Sequence, residues 1–225
     1  EEVDVFITDT NNWFYSEVEP ETSQLHFRWR NDSADLNATQ SQGWLADEDS
    51  NTIGNISRNI TYRLRVEAVN VGPLSETWAR TYELQFGEKE TTCGDIVSWT
   101  GIGDAADEFE MSSSNHIDPD GATTTPGLLS NTEGYDYTSG EGRDVADTTG
   151  SLGPLASTTY TEIEYSIQAT DQASTSHTYC FRLFDTATSS VLDTYSVYPE
   201  VTLAAPPDTI LVSGIVYSDA GVNPL

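Results

Sequence analysis

Chemistry in this 225-residue chain would have to come from 37 Asp and Glu, three His and two Cys side chains. The histidines stand apart. His26 falls on the polar side of an alternating run, His177 at the start of another, and His116 in a Ser-rich stretch. None belongs to H-E-x-x-H, and neither G-x-S-x-G nor C-x-x-C occurs, so the patterns for zinc hydrolysis, a nucleophile elbow and dithiol redox chemistry are missing. Gly101-Ile-Gly103-Asp-Ala-Ala106 spells a dinucleotide loop. That loop works by seating pyrophosphate on a helix N-terminus, whereas Asp104, Asp107, Glu108 and Glu110 would repel it and no helical period follows. Asp118-Pro119-Asp120-Gly121 could be half of a calcium loop, but the other ligand positions are absent and X-Pro-Asp-Gly is an ordinary turn. Asp47-Glu48-Asp49 and the cluster 104–110 read as solvated loops, able to hold Ca²⁺ only if the fold joined them to other groups. Among so many carboxylates a hydrolase pair could always be nominated, and no spacing selects one. The expectation is no catalytic residue, no metal ligand set, no cofactor and no enzyme.

Covalent features carry more. Cys93 and Cys180 are expected to form an intrachain disulfide, because two cysteines in an acidic, secreted-type β chain more often pair than stay free. Four N-x-[ST] sequons, at Asn31, Asn37, Asn55 and Asn59, are candidate glycosylation sites, although such triplets arise readily in an Asn/Ser/Thr-rich chain.

The net charge of −28 argues against nucleic acid and anionic membranes as partners, and no apolar run is long enough to span a bilayer. Residues 91–225 contain only Arg143 and Arg182 as cations. The chain begins Glu1-Glu2 without an initiator Met, as expected of a processed or excised piece.

The elements that would position these residues are strands. Leu25, Phe27 and Trp29 alternate with His26, Arg28 and Arg30. Tyr62, Leu64, Val66 and Ala68 alternate with Arg63, Arg65 and Glu67. Ile163, Tyr165 and Ile167 alternate with Glu162, Glu164 and Ser166, and Tyr179, Phe181 and Leu183 with Cys180, Arg182 and Phe184. A period of two gives each strand two faces. Residues 61–86 and 177–204 both read as hairpins. Their likeness, 117 positions apart, predicts an all-β chain of two antiparallel β-sandwich domains in tandem, 1–90 and 91–205, followed by a linker and exposed strand at 206–225. The Ser/Thr/Gly/Asp-rich stretch 111–157 is too long for a bare loop, so short strands are expected inside it. Arg28, Arg30, Arg63 and Arg65 should share one sheet face and meet acidic side chains, since facing positions lie about 5 Å apart and bare arginines would repel. With Tyr179, Phe181 and Leu183 inward, Cys180 should lie on the outer face.

Tyr62-x-Leu64-Arg65-Val66-x-Ala68-Val69-Asn70, with Gly72 and Ser75-Glu76, resembles the penultimate strand and turn of fibronectin type III domains within the wider immunoglobulin-like class. The set 26–33, 62–70, 160–170 and 178–186 is similar to the repeated β modules of large secreted surface proteins from uncultivated bacteria. That resemblance implies an extracellular location and a structural or adhesive role. Residues 212–225 resemble the opening strand and turn of carboxypeptidase-regulatory-like modules.

Ile210, Leu211, Val212, Ile215, Val216 and Tyr217 make a strand apolar on both faces, set off by Pro206-Pro207. It either begins a further module or is donated to a neighbouring copy, which would give a head-to-tail homopolymer. The leading expectation is an extracellular, non-enzymatic surface module or filament subunit. The alternative is a glycan- or Ca-binding adhesion module using aromatics such as Trp13, Trp44 or Tyr137.

Overall fold

The alternating runs do form strands, but of the two expected hairpins only one pairs. A computed structural model describes residues 4–9, 12–16, 19–38, 43–50, 52–103, 107–131 and 133–205, the first two stretches as backbone. Among the described residues, strands β1 (Asp4–Asp9) and β2 (Asn12–Ser16) pair only with each other. Then come β3 (Thr22–Asn31), β4 (Thr52–Ile56), β5 (Thr61–Asn70) and β6 (Tyr82–Glu88). A 3-10 turn at Cys93–Asp95 precedes β7 (Thr100–Gly101) and β8 (Phe109–Met111). Strands β9 (Asp136–Tyr137) and β10 (Gly142–Arg143) lie inside the Ser/Thr/Gly-rich stretch, where short strands were expected. Strands β11 (Thr159–Ala169), β12 (Thr178–Asp185), β13 (Ser190–Val191), β14 (Thr194–Tyr195) and β15 (Glu200–Leu203) complete the order.

Two sheets face each other. One is ordered β10-β11-β5-β3-β14, with β8 and β9 also on β11; the other is β4-β15-β12-β6-β7, with β13 on β12. Their inner faces share a single apolar core: Phe27, Trp29, Leu64, Val66, Ile163 and Tyr165 from the first, Leu84, Phe86, Tyr179, Phe181 and Leu183 from the second. Phe109 and Phe181 sit at its centre with rings 5.0 Å apart, edge to face.

The all-β class therefore holds, while the pairing departs from the tandem arrangement. Strand β5 runs antiparallel to β11 over ten residues, from Asn70↔Thr159 to Thr61↔Gln168, and β6 to β12 over seven, from Glu88↔Tyr179 to Tyr82↔Asp185. Strands from either side of residue 90 are thus mixed within both sheets and share one core, so the pairing does not follow a division at that position. The physical reason is that β5 and β6 are not a hairpin: residues 71–81 carry the chain from one sheet to the other. A period of two reports which face a side chain takes and is silent on the strand beside it. The 177–204 hairpin does form, with Thr178, Tyr179 and Cys180 opposite Thr202, Val201 and Glu200.

Irregular segments make a third layer over the outer face of the first sheet. Ala34, Leu36, Ile117, Leu128 and Leu129 are buried beneath or within it. At Gly140 this layer passes so close to β11 that a Cβ would overlap the carbonyl oxygen of Glu162. The Cys93–Cys180 disulfide is present, with Cα atoms 5.8 Å apart. Cys180 lies on the outer face of β12, since its neighbours Tyr179 and Phe181 are core residues. No helix among the described residues is long and apolar enough to cross a membrane.

Candidate functional site

The outer face of the first sheet carries the densest set of ionisable groups, and two halves of that face behave differently. Register puts Arg28 opposite Arg65 and Arg30 opposite Arg63 on β3 and β5, with Glu164 opposite Arg65 on β11. Arg30, Arg63, Arg65, Glu162 and Glu164 are all fully buried. Arg65 Nε donates to Glu164 Oε2 at 2.7 Å and its Nη1 to Glu162 Oε2 at 2.7 Å, while Arg63 Nη1 donates to Glu164 Oε1 at 2.9 Å. Arg63 also pairs with Asp32 at 3.2 Å. Other guanidinium donors reach backbone: Arg30 to the carbonyls of Ala34, Asp35 and Leu36, Arg63 to that of Ala34, and Arg65 to that of Leu36, while Nε of Arg30 and of Arg63 has no hydrogen-bond partner among the described residues. Burial works against the Arg65 charge, but Glu164 and Glu162 outweigh it and hold the guanidinium pKa above its ordinary value. Three arginines and three carboxylates balance here. The expected meeting of strand arginines with acids is realised, and Arg28 departs only in donating to the Ala46 carbonyl, with its guanidinium over Trp44.

One register step along, the face is acidic. His26 of β3 and Glu67 of β5 meet Glu48 and Asp49 from the segment beside β3, and Glu133 from the covering layer. His26 Nδ1 lies 2.6 Å from Asp49 Oδ2 and 3.5 Å from Glu48 Oε1, and its Nε2 is 3.6 Å from Glu133 Oε2. Asp49 is fixed by the Phe27 amide at 2.9 Å, and Glu48 by the amide and hydroxyl of Ser130. Glu67 is 2 % exposed, and its Oε2 has no hydrogen-bond partner among the described residues. The hydrogen bond to Asp49 raises the His26 imidazole to about 9 against burial, with Asp49, Glu67 and Glu48 adding to the rise. Burial pushes the Glu67 carboxyl up to about 8; His26 opposes this, and Glu162, Glu133 and Glu48 reinforce it. Among the described residues, no Lys or Arg forms an ion pair with Glu48, Asp49 or Glu67.

The other candidates are dispersed. His116 pairs with Asp35 and His177 with Glu88, both near the surface. Asp120 accepts from Arg143 Nη1 and from the amides of Asp144 and Val145, which together hold its pKa low against burial, so the 118–121 segment works as a turn. Gly101 belongs to β7 and Gly103 bridges to Glu110, a strand geometry rather than a phosphate-cradling helix start. Glu200 lies beside the disulfide and takes Lys89 and Thr52, while the bonded sulfurs offer no thiolate to a metal. Trp44 packs under Arg28 and Arg30, and the Tyr137 hydroxyl is bound to Thr124, so neither presents a free platform. The Trp13 side chain lies outside the described residues. Asn31, Asn37, Asn55 and Asn59 are exposed; Asn37 already uses both ends of its amide, on Thr123 O and Thr125 N. The apolar strand Ile210, Leu211, Val212, Ile215, Val216 and Tyr217 lies outside the described residues.

No protein-family model, curated protein or solved structure matches the chain. Geometry alone therefore carries the functional argument. A feature that sequence reading missed is the edge of the second sheet. Strand β4 ends that sheet, and among the described residues it pairs only with β15. A groove of about 280 Å³ runs along it, lined by Leu45, Ala46, Ile53, Ile56 and Tyr62 together with Asn31, Thr52, Gly54 and Asn55. The Ala204 amide donates to the Ile56 carbonyl at 2.8 Å, so the chain leaves β15 beside the end of β4.

Proposed function

We propose that the protein is an extracellular, non-enzymatic structural module that assembles by donating its C-terminal strand, 210–217, to the β4 edge of a neighbouring copy. The observation that carries this reading is the β4 edge, which among the described residues pairs only with β15 and is bordered by a groove of mixed polar and apolar lining. Main-chain hydrogen bonds would supply affinity there, and alternate apolar side chains would fill the groove. An open edge strand beside apolar surface is otherwise a liability. The disulfide supports an oxidising compartment. Donor and acceptor are different surfaces, so repetition gives an open chain of subunits. Deleting 206–225 should leave folded monomers with an intact acceptor. Gly54→Pro, at an exposed position of β4, should leave an intact donor with a blocked edge. Neither variant alone should polymerise, and mixing them should give a one-to-one dimer by light scattering. Fibres from the truncated chain, or an intact chain that stays monomeric at high concentration, would sink the idea.

A second reading, a glycan-binding adhesion module, is favoured by one cluster. Trp99 and Tyr195 each lie within 22° of the Tyr198 plane, at 5.9 and 5.3 Å, with the Arg182 guanidinium over the Trp99 ring at 4.4 Å, so that the sugar would have to use the opposite ring face. Trp99→Ala abolishing retention on an immobilised polysaccharide would support it.

A further inference from the structure

The acidic pocket at the end of the arginine lattice contrasts with the lattice in charge. Glu48, Asp49 and Glu67 gather around one imidazole, and among the described residues no Lys or Arg forms an ion pair with any of the three; with His26 protonated and Glu67 neutral, Glu48 and Asp49 still outnumber the positive charge two to one. The adjacent lattice shows what compensation looks like on this same face: Glu162 and Glu164 have Arg63 and Arg65 at 2.7 to 2.9 Å. Glu67 adds an independent sign. It is almost wholly buried, its Oε2 has no partner among the described residues, and it faces His26, Glu48 and Glu133. A buried carboxylate oxygen without a donor is costly unless something cationic completes its surroundings.

We propose that His26 Nδ1, Asp49 Oδ2 and Glu48 Oε1 bind one first-row divalent cation of the Zn²⁺ type, with Glu67 supplying the buried charge behind it. Ligand atoms of these three residues lie within 4.8 Å of one another. Two ligands of one tetrahedral Zn²⁺ sit roughly 3.3 Å apart, given bonds near 2.0–2.1 Å. The Glu48 separation of 3.5 Å already matches, and Asp49, at 2.6 Å, has to withdraw by well under an ångström. On binding, the cation takes the place of the proton between His26 and Asp49, which is released to solvent. The other ring nitrogen then carries its hydrogen toward Glu133, 3.6 Å away, the carboxylate–histidine arrangement that orients metal-bound imidazoles. The ligands are pre-set from outside the pocket, Asp49 by the Phe27 amide and Glu48 by Ser130. An imidazole among the donors favours a first-row ion over Ca²⁺, which takes oxygen ligands. The site is independent of strand donation, for it lies on the other sheet from β4.

The test is calorimetric titration of the intact, EDTA-stripped and dialysed chain with Zn²⁺, Mn²⁺ and Ca²⁺. One saturable equivalent of Zn²⁺ is expected, bound more tightly than Ca²⁺. His26→Gln and Glu48→Gln should each weaken it at least tenfold, and the double change His116→Gln/His177→Gln should leave it in place. Should the pocket variants misfold, ¹⁵N spectra of the wild-type histidines decide: Zn²⁺ shifts the His26 Nδ1 resonance and leaves those of His116 and His177 unmoved. No saturable binding, preference for Ca²⁺, or Zn²⁺ that follows His116 or His177 instead would overturn the assignment.

Discussion

Raising the pH of the metal-free protein should unlock the His26–Asp49 contact, and the size of the effect can be worked out. The imidazole keeps its proton to about pH 9 in the folded chain, against 6.5 when unfolded. Its contribution is therefore complete below pH 6.5 and lost as pH climbs through 9. At 1.36 kcal/mol per pH unit that interval amounts to about 3 kcal/mol. His26 has only 14 % of its side chain exposed, so solvent screening takes little from this figure. Glu67 works in the same direction. Its carboxyl ionises near 4.5 when unfolded and about 8 when folded, so the folded state holds the extra proton and loses stability as pH rises between those values. The two groups face each other and their effects do not add. Urea midpoints followed by tryptophan fluorescence, in EDTA from pH 6 to 10, should fall for the wild type. For His26→Gln they should start about 3 kcal/mol lower and converge on the wild type above pH 9. General repulsion in so acidic a chain weakens both proteins alike and drops out of the comparison. Parallel curves, or a His26 NMR titration with its midpoint below pH 7, would refute the reasoning.

Three further outcomes follow from the packing. Glu164→Gln leaves Arg63 and Arg65 short of a buried counter-charge and should cost about 3–5 kcal/mol in urea unfolding, whereas losing an exposed pair such as His177–Glu88 should cost under about 1. Phe181→Ala opens the centre of the aromatic core and should cost about 3–5 kcal/mol by the same assay, with loss of near-ultraviolet dichroism. Cys93 and Cys180 close a loop of 87 residues, so Cys93→Ser/Cys180→Ser should lose about 4.6 kcal/mol on the chain-entropy account. Two titratable thiols in the unfolded, unreduced wild type would contradict that bond.

Sequence made the faces legible and left the partners hidden. Alternation separated Leu64 and Val66 from Arg63 and Arg65, and the same logic placed Cys180 outside the core, because a strand's period is local and strict. Nothing local told β5 that its neighbour was β11, roughly a hundred residues on, rather than β6. That the arginine-bearing face is covered was not legible, because the layer that buries it, from Ala34 to Leu36 and from Ile117 to Leu129, has no period of its own. The His26 pocket was invisible for a related reason. Its members come from positions 26, 48, 49, 67 and 133, and only the fold converts an isolated histidine and an ordinary acidic loop into neighbours. Trp44, a reasonable sugar platform by composition, is taken up by two guanidinium groups that sequence could not aim at it.

The way the lattice grips its covering loop has a consequence for variation. Arg30, Arg63 and Arg65 hold residues 34–36 chiefly by carbonyl oxygens, which every amino acid possesses. Ala34 and Leu36 point inward, while Ser33, Asp35 and Asn37 are exposed. A clamp that recognises backbone fixes the path of a loop and leaves its outward residues open to exchange. Foreign side chains placed at 33 and 35 would be displayed on a support as rigid as the sheet beneath, as if on the framework of a binding protein.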